Sequence, residues 1–238
     1  PTPSSAASDV YKRQILALSK DYRDLRERLG RVVVASDMDG APVTADQLNA
    51  GGAMALLLRD AFLPNLVQTL EGDPAFIHCG PFANIAHGNS SVVADSIALS
   101  TCDYVVTEAG FGADMGAEKA LQIKSDSSGV IPDCIVLNVT VRSMKLHGGA
   151  FGDKGSRRPT SEELATENVE ATLIGASTNM ARHLANLTRT GIPVVVSINR
   201  FSTDTDRELS SIKDIALANG AREAVSYTHL TLPTMELV

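Results

Sequence analysis

Cysteine is scarce. Only Cys79, Cys102 and Cys134 occur in 238 residues, and no two form a C-x-x-C pair. A zinc site built on cysteine is therefore excluded, as is a disulfide framework. Reduced, buried thiols in a cytoplasmic protein are the expectation. Basic charge is also thin: 21 Lys+Arg stand against 28 Asp+Glu, for a net charge of −7. No run of five or more Lys and Arg occurs, which argues against binding nucleic acid through a cationic face. No apolar stretch reaches the roughly 18 residues that a membrane-spanning helix needs. The start of the chain lacks the basic and then apolar pattern of a secretory signal.

What remains is an ordinary globular composition, 44% hydrophobic and 21% charged, long enough to bury a sizeable core. The ends differ from the middle. Residues 1–14 carry no apolar period, and from about Ser226 the tail Ser-Tyr-Thr-His-Leu-Thr-Leu-Pro-Thr shows neither helix nor turn logic. Both read as non-native terminal segments (1–14 and 226–238) around a central α/β domain at 15–225.

Within that centre, strands and helices alternate. A charged helix ends at Gly30, and Arg31–Ser36 is a β-branched strand. Thr44 reads as the N-cap of a helix that runs to about Asp60. Leu66–Leu70 and Ala75–His78 are strands, Ser90–Leu99 a helix, Tyr104–Thr107 a buried strand and Ala113–Lys124 a helix. Cys134–Thr140 is a strand. Glu162–Thr190 holds one long helix or two, Pro193–Ile198 is a strand, and Asp204–Ala218 is a helix closed by Gly220. Continuous apolar strands between helices imply a mostly parallel sheet covered on both faces, an α/β fold. The polar stretch Gly152–Glu163 reads as a loop or insertion.

Ligands in such sheets bind beyond the carboxyl ends of the strands, so four junctions matter. Gly80–Ser91 holds glycines, serines and the donors Asn84, His87 and Asn89 ahead of a helix start. It suits an anion, or equally a loop with Asn and Ser caps. Thr107–Asp114 places Glu108 at a strand end before Gly110 and Gly112. Glu108 could face a magnesium ion, which keeps several waters, or could bond to the glycine turn. Asp114 suits a helix N-terminus. Lys145 and His147 precede two glycines and could meet a negative substrate, or form a solvated loop. Gly149–Ser156 approaches a phosphate loop and fails, because Asp153 and Gly155 flank Lys154. The fourth junction, Asn199-Arg200-Phe201 with Thr203-Asp204-Thr205, offers an aromatic to a flat heterocycle. An Asx-type cap with Phe201 in the core is the alternative.

Taken together, Leu66–Gly72, Gly80–Ser91, Asp103–Asp114, Lys145–Gly149 and Asn199–Thr205 resemble one family, formate–tetrahydrofolate ligase. The resemblance runs over about residues 15–225. It implies an incomplete core like that of P-loop nucleoside triphosphatases, with the phosphate loop upstream and a second, tryptophan pterin wall downstream. Where the family often has Pro after the Phe, this chain has Ser202. The implied reaction joins formate to tetrahydrofolate at the expense of ATP, through formyl phosphate. The implied partners are formate, ATP with Mg²⁺, tetrahydrofolate and a monovalent cation. The implied setting is the cytoplasm, and the implied assembly a homotetramer. Asn84, His87 and Lys145 are then expected to hold formyl phosphate, and Glu108 to sit beside the nucleotide's metal. Gly110 and Gly112 would line the cofactor, Phe201 would stack on the pterin and Asn199 would meet adenine. The alternative is a non-catalytic nucleotide- or folate-binding module. Either way, residues 15–225 alone are expected to be inactive.

Overall fold

The computed structural model describes residues 14–80, 87, 89–152 and 159–228. The chain divides into two compact units, up to Ile131 and from Pro132 onward.

The first unit begins with a helical stretch at 14–18, followed by α1 (Tyr22–Gly30), which Asp21 caps by accepting the Asp24 N–H. Strands β1 (Val33–Ser36) and β2 (Pro42–Thr44) form an antiparallel hairpin. Its turn is held by Asp37, whose carboxylate accepts from Asp39 and Ala41 N–H, and by Gly40 at φ +83°. An Asp-Gly pair between extended runs is a hairpin signal, and here it outweighs the expected helix start at Thr44. Thr44 instead ends β2, and α2 (Gly51–Leu57) starts later without a side-chain cap. Strands β3 (Asn65–Gln68) and β4 (Pro74–Ile77) also pair antiparallel, turning at Gly72. The expected strands at 66–70 and 75–78 are thus present, but as a hairpin and not as members of a parallel sheet. Leu16, Leu25, Leu29 and Phe62 form the core here, with Tyr22 tilted against Phe62 at 4.7 Å between ring centroids. Helix α3 (Val92–Thr101) starts at Ser91, whose hydroxyl accepts the Ala94 N–H.

Tyr104–Thr107 is neither a strand nor buried. Tyr104 is 91% and Val106 95% exposed, and no described strand lies alongside them. Without a neighbour to complete its hydrogen bonds, an apolar alternating run cannot become a sheet strand. The chain then re-enters helix through two wide π-type segments, Ala113–Ala117 and Ala120–Lys124, and a last turn at Ser125–Ser128.

The second unit carries the parallel sheet. Strands β5 (Ile135–Thr140), β6 (Val194–Arg200) and β7 (Glu223–Thr228) lie in that order, all parallel. Between β5 and β6 come α4 (Val141–His147), α5 (Ser161–Ala165) and α6 (Val169–Gly175). The last continues through a π-type segment at Ala176–Met180 into α7 (Ala181–Thr188). Helix α8 (Asp206–Ala218) connects β6 to β7. Thr140, Thr160 and Thr205 each start a helix with a reciprocal capping box, to Ser143, Glu163 and Glu208 respectively. This is an α/β fold with a parallel sheet flanked by helices.

The sheet is covered more on one face than the sequence implies. Val139, Val194, Val196, Ile198 and Ala224 are buried, and the register puts them on one face. On the other face Val136 and Val225 remain exposed. Strand β7 also runs through Ser226, Tyr227 and Thr228, which pair with Ile198, Asn199 and Arg200. The first three residues of the segment 226–238 thus belong to the sheet. The thiols differ too: Cys102 and Cys134 are exposed and only Cys79 is partly covered. No described helix is long and apolar enough to cross a membrane.

Two glycines bring α4 and α6 together at backbone distance. A Cβ on Gly148 would stand 1.8 Å from the Ala171 carbonyl oxygen, and one on Gly175 1.9 Å from that of Met144. Only backbone could yield there, so overpacking forces the helices apart. Gly148→Ala and Gly175→Ala are each expected to destabilise the protein by about 1–3 kcal/mol or more. Denaturant midpoints against wild type check this, with Gly52→Ala, which meets open space, as the control.

Candidate functional site

In the first unit, a cleft of about 840 Å³ is lined by His78, Asn89, Ser90, Asp95, Thr107 and Glu108 among others. The loop leaving β4 and the extended run 102–110 border it. Gly110 lines it as well. Asn89 is buried, and its side-chain oxygen accepts from Lys124 Nζ and from Thr107 Oγ1 at 2.8 Å. Lys124 also pairs with Asp95. Burial lowers the Lys124 pKa from its ordinary value, and Asp95 opposes that fall. The loop after β4 is thereby tied to α3 and to the 113–128 helical segment.

His87 is fully buried beside this group. Its Nε2 lies 3.4 Å from the Ser90 carbonyl oxygen, so Nε2 is the donor and Nδ1 the acceptor; Nδ1 has no described partner. Burial pushes its pKa down, and the Lys124 charge adds to that. The imidazole is therefore neutral at neutral pH. His78 is a structural histidine: Nε2 donates to the Ala61 carbonyl at 2.8 Å, and Nδ1 meets the Ser91 hydroxyl at 2.6 Å. Asn84 lies outside the described residues.

Glu108 is exposed on the cleft wall. Among the described residues, no three His, Cys, Asp or Glu side chains gather as a metal cage. A lone carboxylate nevertheless fits a magnesium ion held mainly by phosphate oxygens and water. Past Glu108 the chain turns sharply: Phe111, between Gly110 and Gly112, has φ +61°. Gly116 packs so closely that a Cβ would fall 1.7 Å from the Gly110 carbonyl oxygen. Cys79 has φ +64° at the matching point after β4. Residues other than glycine adopt this conformation only where the surroundings enforce it. Phe111 lies within the junction Thr107–Asp114, and Cys79 immediately precedes the junction that opens at Gly80. Burial pushes the Cys79 thiol up to about 12, so it stays protonated and inert.

In the second unit, Lys145 is not placed to meet substrate as expected. It lies in α4, fully buried. Its ammonium donates to Glu208 Oε1 at 2.8 Å and to the carbonyl oxygens of Thr166 at 2.9 Å and Leu164 at 3.2 Å. Three acceptors match its three N–H groups, so this lysine is a structural anchor. Burial opposes the Glu208 charge, but bonds from Asn168 N–H, Lys145 and Thr205 outweigh it and hold the carboxyl below its ordinary range.

Beyond β6 the structure brings three residues together. Phe201 follows the strand directly, and the Arg142 guanidinium lies 3.9 Å from its ring centroid. Asp204 is buried and accepts the Phe201 N–H. Asn199 lies on the more open face of the sheet, paired with Thr140 and Tyr227. Asp204 belonged to the junction singled out after β6, while Arg142 and Glu208 were not read from sequence; Glu208 carried a visible signal, the Thr-x-x-Glu of a capping box.

A family model described as formate–tetrahydrofolate ligase matches residues 4–232. The chain belongs to the formate–tetrahydrofolate ligase family. It is 51% identical over 224 residues to the formate–tetrahydrofolate ligase of Desulforamulus reducens, covering 94% of this chain and 39% of that protein. The Roseiflexus castenholzii ligase is 53% identical over 221 residues, 93% of this chain and 38% of its own. The cytoplasmic C-1-tetrahydrofolate synthase of Schizosaccharomyces pombe is 49% identical over 227 residues, 90% of this chain and 24% of its own. The chain thus spans about two fifths of the length of these ligases.

Removing Lys145 would leave Glu208 buried and unpaired. Lys145→Met is expected to destabilise the protein by about 3–5 kcal/mol at neutral pH. Because the folded Glu208 pKa is lowered, wild-type stabilisation is full above the usual carboxylate range and fades as pH falls through the folded value. The gap between mutant and wild type should therefore narrow below about pH 4. Denaturant unfolding at neutral and acid pH measures both, and Lys145→Met with Glu208→Leu should recover much of the loss.

Proposed function

We propose that the protein carrying this chain ligates formate to tetrahydrofolate, with ATP as the energy source. The family match over residues 4–232 carries this reading. A formate oxygen attacks the γ-phosphorus of ATP and ADP leaves, giving formyl phosphate. N10 of tetrahydrofolate then attacks the formyl carbon and phosphate departs. Such chemistry rests on positioning and electrostatics more than on covalent catalysis, and formyl phosphate must be kept from water.

The chain's residues divide the work by unit. In the first, the cleft beside Asn89, Ser90 and Thr107 offers polar groups without a net positive wall. Buried His87 stands behind Asn89 and Ser90 and, with its pKa lowered by burial, adds no positive charge to that wall. Glu108 stands where a magnesium ion arriving with the nucleotide would find one carboxylate. Such an ion would neutralise phosphate charge. In the second unit, Phe201 offers a ring face for the pterin. Its opposite face is covered by the Arg142 guanidinium at 3.9 Å. Lys145 acts at one remove, by fixing α4 and hence Arg142. The cytoplasm is the proposed location, following the printed name of the yeast relative.

Phe201→Ala in the full-length protein is expected to weaken tetrahydrofolate binding by about 1–3 kcal/mol, the range for an aromatic stacked on a flat base. Equilibrium binding checks it, and unchanged affinity would remove Phe201 from the folate wall. Glu108→Gln should slow formyl phosphate formation, measured as formate-dependent ADP release. An unaltered rate would return Glu108 to the surface.

A further inference from the structure

The loop that follows β6 is closed on itself by a reciprocal pair of bonds. The Phe201 N–H donates to Asp204 Oδ2 at 2.8 Å, and the Asp204 N–H donates back to the Phe201 carbonyl oxygen at 3.0 Å. One residue therefore sets the backbone at which the aromatic ring leaves the sheet. Asp204 is only 3% exposed, and its other oxygen, Oδ1, is buried without a partner among the described residues. Nearby, Arg142 covers one face of the Phe201 ring at 3.9 Å, and its Nε is likewise buried and unpartnered. Asp204 feels the positive charges of Arg142 and Lys145 and the negative charge of Glu208. Burial pushes its carboxyl above the ordinary range, against those two cations and the Phe201 N–H.

Stability alone does not account for this arrangement. A carboxylate with a half-satisfied head in a buried place is unfavourable. What it does achieve is a fixed ring: the backbone is tied by Oδ2, and the guanidinium over the ring lies within reach of the same charge. Thr205, next in the chain, caps α8 through Glu208, and Glu208 is held by Lys145. The turn is thus bolted at both ends to the interior of the second unit.

We infer that Asp204 is a positioning residue for the folate wall, holding Phe201 in the orientation that stacks on a flat heterocycle. This rests on the proposed stacking role of Phe201. An aromatic free to turn at its backbone would meet the pterin with lost orientation, and the effect would fall on folate binding more than on phosphoryl transfer.

The test uses the full-length protein with Asp204→Ala, Asp204→Asn and Phe201→Ala. Asparagine keeps a carbonyl oxygen to accept the Phe201 N–H, while alanine does not. Asp204→Ala is expected to raise the KM for tetrahydrofolate about tenfold, leaving kcat and the KM for ATP within about twofold. Asp204→Asn should restore the folate KM to within about threefold of wild type. A merely structural role would instead move kcat and both KM values together, in step with loss of thermal stability, and that pattern would overturn the inference. So would a folate KM untouched by Asp204→Ala while Phe201→Ala raises it. If Asp204→Ala does not fold, the asparagine variant decides: damage as large as that of Phe201→Ala rejects the positioning role. If Phe201→Ala itself leaves the folate KM unchanged, the stacking reading fails, and the inference falls with it.

Discussion

The second unit depends on one buried charge pair. Lys145 and Glu208 are both fully covered and lie 2.8 Å apart. Neither could stay charged there alone, since uncompensated burial of an ion costs several kcal/mol. Together they join four pieces of chain. The lysine reaches the carbonyls of Leu164 and Thr166 at the end of α5. The glutamate takes the N–H groups of Asn168 and Thr205 and so starts both α6 and α8. The connection between β5 and β6 and the turn after β6 are held in register by this pair. The pair adds specificity of arrangement where an apolar substitute could supply comparable stability without directing those backbone groups.

The first unit solves a related problem with less charge. Asn89 presents one oxygen to Lys124 and Thr107, and Asp95 balances the lysine. Three segments far apart in sequence meet at that amide. Its effect is local: the loop after β4 gains a fixed exit, and the extended run at 102–110 gains one tether at Thr107. That run is otherwise poorly held. Tyr104 and Val106 face solvent, despite a composition suited to a sheet interior. Among the described residues no strand lies beside it to complete its hydrogen bonds.

Legibility in the sequence followed the range of the interaction. The parallel strands at 134–140 and 193–198 were readable because β-branched runs between helical periods carry that information locally. The helix starts near Ser91 and Thr205 were readable, whereas the start of α4 at Thr140, with the same local capping chemistry, was not read because the strand pattern runs straight into it. The hairpin between β1 and β2 was misread as the approach to a helix, although Asp39-Gly40 carried its turn. The strand at Tyr104 failed for a different reason: its pattern needs partners that local sequence cannot supply. The role of Lys145 was misplaced because a lysine before two glycines looks solvent-facing, while its partner Glu208 is 63 positions away in the numbering. Phe201 and Glu108 were singled out from motif context, but the contact of Arg142 with the Phe201 ring is one no spacing rule announces.

The paired glycines of α4 and α6 bear on how this region can change. With Gly148 against Ala171 and Gly175 against Met144, the two helices touch through bare backbone at both ends of their contact. Neither can slide along the other by a turn without driving a side chain into a carbonyl. The spacing of α4 and α6 is therefore set by backbone against backbone, and a side chain gained at either glycine would part them.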